Sequence, residues 1–154
     1  MIDVAHIHPM LVHFPIVLLL LGVGLQLLVM LQGGDLSART CLSGVALATL
    51  ALGALSAVVA AVFGDMALDT AVALGFPDAP LETHESFGLT TMGVFLGITA
   101  VQAGAWWRRI ALAGGRGWLL TVIGLAAVVL LIVTAYFGGD LVYGIGVNVR
   151  PVSP

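Results

Sequence analysis

Four long apolar runs constrain this chain more than any other feature of it. They lie at about 10–32, 38–63, 85–107 and 117–137. At about 1.5 Å per residue each reaches roughly 30 to 39 Å, against a hydrocarbon core of about 30 Å. Lipid offers the backbone no hydrogen-bond partner, so runs of this kind must be helices. The expected fold is an all-α membrane protein, a four-transmembrane-helix bundle forming one domain over residues 1–154. Composition agrees. Only 8% of residues are charged, about a third of the share in a soluble domain. There is no lysine, and no basic tract that would suit nucleic acid. Cys41 stands alone, so no intrachain disulfide forms. The leader "MIDVAH" carries no positive region, which predicts that the first run is kept as a span.

The arginines set an orientation. Arg108, Arg109 and Arg116 bracket the third connection, and Arg39 lies beside the first. The second connection, read as a long loop from Gly64 to Glu85, has no Lys or Arg and carries Asp65, Asp69, Asp78, Glu82 and Glu85. The positive-inside rule places connections one and three in the cytoplasm. Both termini and the acidic loop are then outside, in what is expected to be a bacterial inner membrane. Small residues recur at spacings of four, as at Gly53, Ala57 and Ala61, and suit close helix packing.

All four histidines fall at the outer face on this reading. "HIHPMLVHFP" at 6–15 holds three of them at the mouth of the first span. Either Pro9 opens that helix and His13 sits one turn inside, or Pro15 opens it and His13 lies just before. His84 matches it in depth, with Thr83 as the expected N-cap of the third helix and Glu85 beside its positive end. Gly88, one turn later, leaves space beside His84. Two histidines from different helices can hold a haem iron as axial ligands, and bundle cores are common places for such sites. His13 and His84 are the expected pair. His8, held extended before Pro9, is the alternative ligand. A surface metal site with Asp65 is a further option, but zinc would want three or four ligands with clear spacing. No activated Ser or Cys arrangement for hydrolysis can be placed.

After the fourth run, Gly138-Gly139 reads as a helix stop. The segment 138–154, with "LVYGIGVNV", is then expected to fold over the outer face. Tyr136 and Tyr143 suit the headgroup level, and Tyr143 is a candidate cap for the site.

Taken together, "HPMLVHFPIVLL" at 8–19, "FGD" at 63–65, "THESFG" at 83–88 and "GGDLVYGIGVNV" at 138–149 resemble a bacterial family of small four-helix membrane proteins catalogued as a domain of unknown function, DUF2231. The resemblance covers nearly the whole chain and implies a four-helix bundle. Family members are sometimes fused to Rieske-type or cytochrome c domains, which implies electron-transfer surroundings. Members often carry a histidine where this chain has Ile145, so no ligand role carries over to that position.

The function expected from these readings is a b-type cytochrome-like electron carrier. It would bind one haem b near the periplasmic face and exchange electrons with a periplasmic redox protein or quinone. The alternative is a non-enzymatic subunit, in a homo-oligomer or a larger membrane complex, whose histidines bind a metal ion or serve structure. A transporter is disfavoured: the inner half is nearly free of ionisable groups, and no internal repeat of the transporter kind is apparent.

Overall fold

The computed structural model describes residues 4–149. The helices are α1 (Val4–Leu11), α2 (His13–Leu31), α3 (Cys41–Ala73), α4 (Asp78–Arg108) and α5 (Gly114–Tyr143). The first two form one span, interrupted only at Val12. The break has a local cause. Pro15 has no N–H to give the Leu11 carbonyl, so the ladder loses a rung there. It continues on either side, from Val12 N to His8 O (3.1 Å) and from Ile16 N to Val12 O (3.2 Å). Four spans are thus long and apolar enough to cross a membrane.

The spans form a ring in chain order, the first packing on the second, the second on the third, the third on the fourth and the fourth on the first. The first and third face each other across the centre. Leu19, Val23, Leu50, Phe95 and Ile98 fill the core. Leu52, Leu55, Leu119, Val129 and Ile132 point outward, as lipid-facing residues do.

Three expectations about the histidine end need correction. The acidic stretch is not a long loop. α3 continues to Ala73 and α4 begins at Asp78, leaving only residues 74–77 between them. The charges fall on exposed faces, while Leu68, Ala71 and Leu81 keep a helical period inward. With Leu141 they build a second small core beyond the main one. α3 stops where Gly75 adopts φ +87°, which lets Phe76 N reach Ala71 O. Thr83 therefore caps nothing: it lies inside α4, its hydroxyl bonded to Ala79 O, and the N-cap is Pro77. Nor does Gly138-Gly139 end the last helix, which runs on to Tyr143. Only then does the chain turn back, with Val147 N donating to Leu141 O (2.8 Å) and Val147 packing on the second core.

The bundle also contains a structural repeat that is not apparent in the sequence. On α2 the buried positions include Pro15, Leu19, Gly22, Gln26 and Val29. At the 76-residue separation of Gln26 and Gln102, they match Thr91, Phe95, Ile98, Gln102 and Ala105 on α4, all buried. Ser43, Ala46, Leu50 and Gly53 of α3 correspond to Gly117, Leu120, Gly124 and Ala127 of α5 at a separation of 74, the second connection of the pair being two residues shorter. The connections meet as well: Leu36 N donates to Leu112 O (3.1 Å) beside an isolated Asp35–Ala113 bridge. Both halves run in the same direction, so the repeat is a parallel one about the bundle axis. What recurs is burial and phase. The residue types differ at nearly every pair, which is why the letters concealed it.

Candidate functional site

The site begins with a phase. An inward face on the first span runs through His8, Pro15, Leu19, Gly22 and Gln26, and the last of these is five full helical turns from His8. The third span repeats the same spacing from His84 to Gln102. His8 and His84 thus occupy equivalent places in the two halves and meet across the centre. Their ring centroids are 6.3 Å apart and their planes cross at 78°. His13 lies five residues on, about 140° round the helix, and is exposed. The histidine brought opposite His84 is therefore His8 and not His13.

Each ring is held the same way. His8 Nδ1 lies 2.8 Å from Ala60 O on α3. His84 Nδ1 lies 3.2 Å from Thr134 O on α5. A carbonyl can only accept, so each Nδ1 carries a proton, and in the neutral imidazole the lone pair is then on Nε2. Four residues after each accepting carbonyl comes a glycine, in "AAVFG" and "TAYFG". A Cβ on Gly64 would lie 3.0 Å from the His8 ring, and one on Gly138 would lie 2.9 Å from the His84 ring. The glycines are cradles that a side chain would fill.

The neighbours are settled by packing. Thr134 donates its hydroxyl proton to Leu130 O (2.9 Å), so Thr91 is the donor in the 2.8 Å bond between Thr91 Oγ1 and Thr134 Oγ1. Phe87 of α4 and Phe137 of α5 stack on each other at 5.0 Å. Gly88 is half-buried, and a Cβ there would touch only Thr134 at 4.0 Å. The other candidates stand apart: Asp65 is exposed, and Tyr143 is 91% exposed. Among the described residues no group of three or more His, Cys, Asp or Glu side chains could hold a metal ion. What the geometry brings together is one pair of histidines, His8 and His84.

Several residues escaped the sequence reading. Ala60, Gly64, Thr134 and Gly138 could have been found from the recurring Phe-Gly pair. At the opposite end, Asp35 and Ser37 sit in a stretch read merely as a connection, although Asp-x-Ser is a turn signal. Asp35 Oδ1 accepts from Ser37 N (2.8 Å), Ser37 Oγ (2.6 Å) and Leu112 N (2.8 Å). Burial pushes the Asp35 carboxyl up, but these bonds together outweigh it and leave the group below the usual carboxylate range. Between the two ends, buried Gln26 donates to Gln102 Oε1 (2.6 Å), and Gln102 donates to Leu36 O (2.9 Å).

Comparison with known proteins gives one match. No curated protein and no solved structure matches the chain. A family described as "Predicted membrane protein (DUF2231)" matches residues 5–151, in line with the motifs quoted above. The chain belongs to the DUF2231 family of predicted membrane proteins.

Proposed function

We propose that this protein is a membrane electron carrier in which His8 and His84 are the axial ligands of one b-type haem. The supporting observation is the spacing of the two rings, 6.3 Å between centroids. Two metal–nitrogen bonds of about 2 Å, plus half an imidazole on either side, come to about 6 Å. The donor set fits the group. Each histidine spends Nδ1 on a backbone carbonyl, which fixes the ring and, in the neutral imidazole, offers Nε2 as a donor atom of raised basicity. Gly64 and Gly138 fit it too, since the space they keep open lies against the rings. Such a haem supplies a one-electron couple. The chain's part is to orient both imidazoles through Ala60 and Thr134, and to shield them with Phe87 and Phe137. On the orientation set by the arginines, the site faces the periplasm, where a soluble redox protein or a quinone would exchange electrons with it.

The test is optical. The protein is purified from cells with ample haem, reduced with dithionite and scanned for a sharp visible α band. His8→Ala and His84→Ala should each abolish the band, and His13→Ala should keep it. A bandless wild type would sink the proposal.

One observation favours a second reading, a scaffold subunit. His8 ties α1 to α3, and His84 ties α4 to α5. Under that reading the two alanine variants lower thermal stability while metal and haem contents are zero throughout.

A further inference from the structure

At the arginine end, the two short connections enclose a cleft of roughly 400 Å³ lined by Asp35, Ser37, Ala38, Arg39, Trp106 and Arg109. Three observations bear on what it takes. The first is depth. Trp106, Trp107 and Trp118, all of the chain's tryptophans, cluster at this end, and Trp107 is 78% exposed. Tryptophan at this density marks the headgroup level. The cleft therefore opens where lipid phosphates lie.

The second is charge. Arg39 lies over the Trp106 ring, 4.9 Å from its centroid. An aromatic face holds a guanidinium flat and leaves its N–H edge free for a planar acceptor. Among the described residues no arginine is paired with a carboxylate. The one acid on the wall, Asp35, has an oxygen occupied by three donors from its own loop and the neighbouring one. Two guanidiniums, Arg39 and Arg109, against this one carboxylate leave the cleft wall net positive.

The third is backbone. Arg109 ends α4 at φ +57°, in the left-handed region where glycine is the usual choice. An arginine held there at a cost suggests that its side chain is used.

We propose that this cleft binds the phosphodiester of an anionic phospholipid. Arg39 and Arg109 present their N–H forks to its oxygens, a geometry arginine favours with phosphate. The acyl chains run down the adjoining apolar faces of the bundle. This site lies at the opposite end from the histidines and stands whether or not they hold a haem.

The experiment uses the full chain in vesicles, with Trp107→Phe and Trp118→Phe so that Trp106 alone reports. Quenching by brominated phosphatidylglycerol is compared with quenching by brominated phosphatidylcholine at equal mole fraction. The anionic lipid should be preferred on the order of tenfold. Arg39→Gln with Arg109→Gln should erase the preference, and Arg116→Gln, outside the cleft, should leave it intact. Rising salt should weaken it in the unsubstituted cleft, which tests the electrostatics without relying on a variant's folding. Equal quenching by the two lipids would overturn the proposal, as would a preference that survives the double substitution or is indifferent to salt. Loss of the preference on adding inorganic phosphate at constant ionic strength would also overturn it, in favour of a soluble anion.

Discussion

Five positions separate His8 from His13, and that interval decides which of them the bundle can use. A heptad step from His8 reaches buried Pro15, whereas His13 shares its side with exposed Val17, Leu20 and Leu31. Depth alone, the criterion available from hydropathy, cannot tell the two histidines apart. Phase can, and the interval from His8 to Gln26, repeated from His84 to Gln102, was in the sequence to be read. The carbonyls that hold the rings were not legible, because a backbone acceptor leaves no mark on residue type; only the glycines betray them. Gly64→Ala and Gly138→Ala should each force a ring off its carbonyl. Overpacking of this kind costs about 1–3 kcal/mol. Under the haem site proposed above, the expected result is lower haem content together with a lower melting temperature, whereas Gly97→Ala, which meets open space, should change neither.

Helices and their connections carry a second set of consequences. Apolar runs located four spans correctly but misplaced their ends, because the charges of Asp65, Asp69 and Glu82 mask the inward period of Leu68, Ala71 and Leu81. Beyond the lipid a helix needs only one apolar stripe, and a hydropathy window averages that stripe away. The connection around Asp35 is sensitive to pH. Its carboxyl titrates below the ordinary range near 4. The stability it contributes is full above its unfolded value and is lost as pH falls through the folded one. The melting temperature in detergent should therefore drop in acid. Asp35→Ala should lower it at neutral pH, by about 1–3 kcal/mol for donors left unpaired, and should remove this residue's part of the acid dependence. Between spans, Gln102→Leu strands Gln26 and the Leu36 carbonyl, so it should cost more than Gln26→Leu, whose Oε1 already has no partner. The double variant should cost less than the sum of the two, measured as a thermal double-mutant cycle.

For the whole molecule, the pseudo-twofold axis explains where symmetry holds and where it fails. The histidines obey it, each with its carbonyl and its glycine. The glutamines cannot, since one amide must donate while the other accepts. The loops break it further: Asp35 and Ser37 correspond by offset to Ala111 and Ala113, so the Leu112 N–H turns to Asp35 and leaves the Leu36 carbonyl to Gln102. The bundle was legible from four apolar runs, but its halves were not, because pairs such as Gly22 and Ile98 share a place without sharing a shape. One consequence concerns the covalent order of the hairpins. The chain enters α1 and leaves α5 at the histidine end, where the turn at 74–77 also lies, and the first and last spans are already neighbours. A circular permutant that starts at Phe76, runs through α5, crosses a flexible linker into α1 and ends at Gly75 should rebuild the same ring. It should match the native chain in helicity by circular dichroism and, under the haem site proposed above, in visible spectrum.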